Sequence, residues 1–131
     1  MQHTMQNFCP VYRSEEIMQK GKNKLLSLLN DFKNIKINDQ SLIWNTEVIE
    51  ALELKNLLSQ AIVSVNSALN RKESRGAHSR IDYSKRDDKK WLKHSLIWSN
   101  KEGKTETRFR KVNLQTNSKE IKTIEPKARV Y

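Results

Sequence analysis

Ten consecutive residues concentrate the chemistry available to this sequence: Arg71-Lys72-Glu73-Ser74-Arg75-Gly76-Ala77-His78-Ser79-Arg80. The run sets cations, one carboxylate and one imidazole around a single glycine. Arginine suits bidentate pairing with a carboxylate or with backbone carbonyls. Gly76 closes a tight turn after a helix, so Glu73, Arg75, His78 and Arg80 project from a rigid loop in different directions. Such density suggests either a ligand-gripping cluster or a joint that fastens this region to a neighbour. Paired charges at domain joints are the commoner outcome, so these four residues are assigned to an interdomain contact that fastens the helical part to a neighbouring domain or to the chain's own tail.

Other site chemistries find little here. A dinucleotide fingerprint places three glycines in one Gly-x-Gly-x-x-Gly run, whereas Gly21, Gly76 and Gly103 are far apart; a P-loop is excluded in the same way. His3, His78, His94 and Cys9 lack zinc-site spacing. Cys9 beside Pro10 reads as a small packed residue, and a single cysteine forms no internal disulfide. Asp87 and Asp88, flanked by Lys85, Arg86, Lys89 and Lys90, read as cap and ion-pair residues. The chain itself is therefore assigned no catalytic, cofactor-binding or metal-ligating residue. Trp91, Trp98 and Phe109 lie among basic residues, which could serve single-strand stacking; their alternating positions instead predict buried anchors of a hairpin.

The elements that position the loop follow from periodicity. Met1, Met5 and Phe8 fit a short helix that Pro10 stops. It reads as the interior of a larger architecture. Ser14 caps a helix running to about Asn34, with Glu15 and Glu16 in its first turn. Met18, Gly21, Leu25, Leu28 and Phe32 form its stripe, and Gly21 on that stripe predicts close approach of another helix. Ile35, Ile37 and Leu42-Ile43-Trp44 predict an apolar connection that packs. Asn45 caps the longest helix, about Thr46 to Lys72, whose face is Val48, Leu52, Leu58, Ile62, Val65 and Leu69. Asp87 or Asp88 caps a short turn or helix through Trp91. Alternation over Leu92–Trp98 and Thr105–Val112, with a turn at Asn100–Gly103, predicts a hairpin. Residues 113–125 are weakly patterned, and Val130-Tyr131 are expected to dock the tail. The fold is thus mainly α: about three helices in a bundle over 1–83, then a small β hairpin and an extended C-terminal tail over 84–131, all in one structural domain.

The chain has 131 residues and a net charge of +10. Residues 1–70 balance, with seven Lys/Arg and seven Asp/Glu, while residues 71–94 and 101–131 each carry nine against four. A basic half suits nucleic acid or an acidic surface, so a free-standing nucleic-acid-binding module stands as the alternative reading. Charges of alternating sign without a long cationic block favour a solvated face instead. No apolar run is long enough to cross a bilayer, and Met1–Tyr12 lacks the charged start and apolar block of a signal peptide.

The decapeptide resembles a signature near the end of the flavoprotein subunit of succinate dehydrogenase and fumarate reductase. Arg86-Asp87-Asp88 and Trp91-Leu92-Lys93-His94-Ser95-Leu96 are similar to the next block of that family. Met1–Arg13, Phe32-Lys33-Asn34-Ile35, Trp44-Asn45-Thr46 and Pro126-Lys127-Ala128-Arg129-Val130-Tyr131 extend the resemblance over the whole chain. The related L-aspartate oxidases share a version of Glu73-Ser74-Arg75-Gly76 but resemble the chain less over Arg86–His94. The resemblance implies the C-terminal domain of a subunit that interconverts succinate and fumarate on FAD and exchanges electrons with an iron–sulfur subunit. It implies a cytoplasmic or mitochondrial-matrix face of the inner membrane, reached through the complex, and no nucleic acid. FAD and the substrate residues of that family lie upstream of the stretch that this chain resembles. The expected partners are the flavin-binding domain of the same subunit and the iron–sulfur subunit. A domain without its neighbour is also expected to expose apolar surface.

Overall fold

Three side-chain caps set the helix starts. Ser14 Oγ accepts from the Ile17 N–H at 3.4 Å, Asn45 Oδ1 from the Val48 N–H at 3.0 Å, and Asp87 Oδ1 from the N–H groups of Lys89 and Lys90, each at 3.0 Å. Each satisfies donors that a first helical turn leaves free. The structure, a computed structural model, describes residues 1–118 and 120–127. Its elements are α1 (Gln2–Phe8), β1 (Tyr12–Arg13), α2 (Glu15–Asp31), a 3-10 turn (Phe32–Asn34), α3 (Thr46–Asn70), β2 (Ser79–Arg80), α4 (Asp88–Trp91), β3 (Lys93–Ser99) and β4 (Thr105–Lys111). This is the mainly helical fold with a small antiparallel hairpin that the periodicity predicts. The last turn of α2 tightens to 3-10 geometry. The expected docking of Val130 and Tyr131 lies outside the described residues.

The core lies between α2 and α3. Met18 and Leu25 of α2 meet Ala61, Ile62, Val65, Ala68 and Leu69 of α3, with Met1, Met5 and Cys9 packed against them. Gly21 does what its position on the stripe predicts: α1 crosses there, and a Cβ added at residue 21 would lie 2.5 Å from the Phe8 Cβ. Ala has the better helix propensity by about 1 kcal/mol, but the clash opposes it. The clash costs about 1–3 kcal/mol, so Gly21→Ala is expected to be a net destabilisation of up to about 2 kcal/mol, read as a lower urea midpoint. Gly103 (φ +78°) turns β3 into β4 and rests against α2, where a Cβ would meet Leu26 Cδ2 at 2.7 Å.

β3 and β4 pair antiparallel, His94 opposite Arg110 and Trp98 opposite Glu106. A second, parallel pair joins distant parts of the chain: Tyr12 opposite Ser79 and Arg13 opposite Arg80.

Three expectations fail. The apolar face of α3 is buried only from Leu58 onward; Val48 and Leu52, expected on that face, are exposed. Leu42, Ile43 and Trp44 do not pack; they are 99%, 78% and 89% exposed. Trp98 and Phe109 are about half exposed rather than buried. The hairpin lays the Ser95 and Ile97 side of β3 inward and turns His94 and Trp98 outward. Phe109 packs edge-on to Trp91 at 5.9 Å, and Lys93 Nζ lies 4.0 Å from the Phe109 ring centre. These aromatics form a cation-covered surface cluster.

Candidate functional site

A helix ends with carbonyls that have no intrahelical partner. At the end of α3 one side chain takes them. Arg80 Nη1 donates to the carbonyls of Ala68 and Leu69, each at 3.1 Å. Its other face grips Asp82 through two parallel bonds of 2.7 Å. Arg80 is 1% exposed, so its charge is sheltered and fully paired. The hydrogen bonds from Arg80 hold the Asp82 carboxyl far below the usual carboxylate range. Ser74 Oγ accepts from the Arg80 N–H at 2.8 Å and donates to the Tyr83 carbonyl at 2.8 Å. Arg75 and His78 bond backbone to backbone in both directions, at 2.9 and 3.1 Å, closing a tight turn in which Gly76 takes φ +57°.

Glu73 is the second node. It is 0% exposed. Arg75 donates to both of its oxygens, at 2.8 and 3.0 Å. Arg71 Nη1 and the Asp87 N–H, at 2.9 Å, complete the set. Burial pushes the Glu73 carboxyl up, but the hydrogen bonds from Arg75, the Asp87 N–H and Arg71 outweigh it and the net shift is downward. Arg75 reaches on to Asp88 at 2.6 Å. Arg71 reaches the carbonyls of Trp91, at 3.1 Å, and Lys93, at 2.5 Å. One buried carboxylate thereby ties the end of α3 to α4 and to the root of β3.

His78 lies between Arg13 and Arg71. Arg13 Nη1 is 3.0 Å from Nδ1, and Nε2 is 3.1 Å from the Arg71 carbonyl. A guanidinium only donates and a carbonyl only accepts. Nδ1 therefore accepts, Nε2 carries the proton, and the imidazole is neutral. Burial is the main cause of its lowered pKa; the guanidiniums of Arg13, Arg80 and Arg71 add to it, and the bond to the Arg71 carbonyl opposes it. The folded pKa lies below the unfolded 6.5, so the unfolded chain binds the proton first. Stability from this group is complete above pH 6.5 and falls as pH drops from there to the folded pKa. His78→Gln is expected to flatten that limb in urea melts run at stepped pH. An unchanged limb would refute the assignment.

Of the four residues singled out in the sequence, Glu73 and Arg80 are interior and Arg75 and His78 are part-exposed. All four share one hydrogen-bonded assembly. Arg13, Arg71, Asp82 and Asp88 belong to it and were not singled out. A signal existed: Arg71-x-Glu73, Arg80-x-Asp82 and Arg86-x-Asp88 repeat one Arg-x-acid spacing, and each pair is in contact. A groove of about 540 Å³ opens beside the assembly, lined by Ser67, Arg71, Arg75, His78, Trp91 and His94 among others. Its arginines are already bonded inward. Among the described residues no group of three or more His, Cys, Asp or Glu is placed to hold a metal ion, and no helix is long and apolar enough to cross a membrane.

Comparison with known proteins gives one answer. The family described as fumarate reductase flavoprotein C-term matches residues 1–131. The succinate dehydrogenase flavoprotein subunit of Rickettsia bellii is 48% identical over 131 residues, all of this chain and 22% of its own length. The mitochondrial succinate dehydrogenase [ubiquinone] flavoprotein subunit of Oryza sativa is 45% identical, over 100% of this chain and 21% of its own. A solved chain of E. coli quinol fumarate reductase superposes with a TM-score of 0.82 at 35% identity, covering 95% of this chain and 22% of that one. The chain thus spans about a fifth of the length of these relatives. The nucleic-acid-binding alternative finds no support among them. The chain belongs to the C-terminal family of succinate dehydrogenase and fumarate reductase flavoprotein subunits.

Proposed function

We propose that this chain is the supporting C-terminal domain of a flavoprotein subunit whose complete form interconverts succinate and fumarate on FAD. Electrons pass to an iron–sulfur subunit, on the cytoplasmic or mitochondrial-matrix face of the inner membrane. The observation that carries this reading is the match of the whole chain to about a fifth of such subunits. Glu73 and Arg80 act from inside, fixing the loop at the end of α3. Arg75 and His78 present that loop to the flavin-binding domain.

The residues described here do not fit a flavin. A pyrophosphate needs free N–H groups and positive potential at a helix N-terminus. The starts of α2, α3 and α4 are instead capped by Ser14, Asn45 and Asp87 and carry Glu15, Glu16, Glu47 and Asp88. The purified chain is therefore expected to retain no FAD and to reduce no dye with succinate; turnover by the chain alone would overturn the reading. In a full-length subunit ending in this sequence, Arg75→Ala is expected to lower flavin content and thermal midpoint together. Unchanged values would remove the joint.

A further inference from the structure

Three lysines from three separate elements meet over an apolar floor. Lys33 lies in the 3-10 turn, Lys55 on α3 and Lys101 in the turn between β3 and β4. All three line one groove of about 530 Å³, whose floor is Leu29, Phe32 and Ile35. A mostly apolar concavity with a few convergent polar groups is the usual form of a small-molecule site. Among the described residues none of the three lysines is in an ion pair, whereas Lys20 and Lys72 are. The carboxylates next to them in sequence, Asp31, Glu53 and Glu102, do not line the groove. The excess of positive charge is therefore local to this concavity.

Its wall is fixed. Asn100 Oδ1 accepts from the N–H groups of Glu102 and Lys104 at 3.1 and 2.8 Å, and the Gly103 N–H donates to the Asn100 carbonyl at 3.1 Å. Gly103 rests against Leu26 and Leu29, so the turn that carries Lys101 is locked onto α2. With Oδ1 taken, the Asn100 amide N–H groups have no protein partner among the described residues and add a neutral donor to the same rim.

We propose that this groove binds an amphipathic anion, a carboxylate or phosphate head on an alkyl chain. The lysines hold the head and the floor holds the chain. An ammonium is a point charge rather than a planar fork, so the site reads the charge of the head more than its shape. Phe32 and Ile35 also line a second cleft of about 240 Å³ with Leu28, Leu54 and Leu58, and the apolar floor continues into it. Asp31 lines that cleft and repels an anion there. The direction follows: the head among Lys33, Lys55 and Lys101, the chain toward Leu54 and Leu58. A concave floor takes up single molecules, whereas a bilayer is met by an apolar face that sinks into it, so the source is a free amphipath. Succinate and fumarate, charged at both ends and without a chain, are not of this class, and the site stands apart from the reading proposed above.

The test is calorimetric titration of decanoate, decan-1-ol, butyrate and inorganic phosphate into two proteins. One is the 131-residue chain. The other is the full Rickettsia bellii subunit with its matched C-terminal stretch replaced by this sequence. Decanoate is expected to bind both. Decan-1-ol, and decanoate with Lys33→Gln, Lys55→Gln and Lys101→Gln combined, bind about tenfold more weakly, the size expected for three exposed charge contacts. Butyrate and inorganic phosphate give no heat at the same concentrations. The lysine variant keeps the parent urea midpoint, because these ammonium groups pair with nothing in the fold. Decanoate that binds the variant as tightly as the parent overturns the site, as does a parent chain that takes up none. Binding by the chain but not by the full subunit means that the groove is closed in the complete protein, and overturns it too. Capture by phosphatidylglycerol vesicles without binding of free decanoate assigns the lysines to a membrane surface and likewise overturns the proposal.

Discussion

Arg80→Met is expected to remove about 3–5 kcal/mol of stability, the range for breaking a buried pair by deleting one partner. A domain has about 5–15 kcal/mol in total, so the variant sits near the edge of folding. The size follows from what is stranded. The carbonyls of Ala68 and Leu69 lose their 3.1 Å donor, and water has no easy path to them because Arg80 itself is 1% exposed. Each unsatisfied buried acceptor costs about 1–3 kcal/mol. Asp82 loses both of its 2.7 Å bonds, although its side chain, 30% exposed, recovers part of that from solvent. Methionine keeps most of the volume, so the loss is electrostatic rather than a cavity. Arg80→Lys separates charge from geometry: an ammonium cannot span two carbonyls and a carboxylate in one plane, and less than half of the loss is regained. A urea midpoint that barely moves in Arg80→Met would mean that the end of α3 is stabilised by something else. Asp82 supplies a second readout. Its folded pKa is depressed, so its contribution is present above the unfolded value of 3.8 and disappears as pH falls through the folded value. Without Arg80 that acid dependence should shrink.

The helical half of the fold was legible because its signals are local. Ser14 and Asn45 are caps in the sequence and caps in the structure, of the two candidates Asp87 and Asp88 the structure takes Asp87, and Gly21 marks the α1 crossing. The parallel pairing of Tyr12-Arg13 with Ser79-Arg80 was not legible, since two-residue strands have no period to read and their partners are more than sixty residues apart. The Arg13 contact with His78 follows from that pairing and was hidden with it. Leu42-Ile43-Trp44 misled for a different reason. Hydrophobicity predicts burial, but it does not say whether the burying surface belongs to the same stretch of chain. The expectation that a lone domain exposes apolar surface and the expectation that this connection packs were in conflict, and the structure resolves the conflict in favour of exposure. Trp98 and Phe109 show the limit of alternation: period two separates the faces of a hairpin without saying which faces inward. The decapeptide gave the place of the site but not its wiring. Charge density locates a cluster, whereas the partners of Glu73 include Arg71, which opens the run but is not among the four residues singled out, and a backbone N–H at Asp87, outside it.

The wiring predicts where damage spreads. Glu73→Ala is expected to cost about 3–5 kcal/mol, and the loss should fall on one part of the molecule. Glu73 holds two guanidiniums close together; without it Arg71 and Arg75 face each other without a shared counter-charge. Arg71 also carries the carbonyls of Trp91 and Lys93, so its displacement frees α4 and the root of β3. The core between α2 and α3 contains neither residue. Amide exchange should therefore accelerate over residues 87–99 while the α2 and α3 amides keep most of their protection. Uniform acceleration would show that the node supports the whole fold instead. Glu73→Gln isolates the charge, because the amide oxygen still accepts from the Asp87 N–H while the ion pairs weaken. The sign in pH is fixed by the direction of the shift. With a folded pKa below the ordinary 4.5, the Glu73 contribution is fully present above that pH and is lost as pH falls through the folded value. The Gln variant should start less stable at neutral pH and lose less on acidification, so that its urea midpoint converges on that of the parent chain as pH falls through the folded value. Parallel curves across that range would mean that the buried carboxylate contributes hydrogen bonds alone, and that the arginines around it are balanced by Asp88 and the carbonyls.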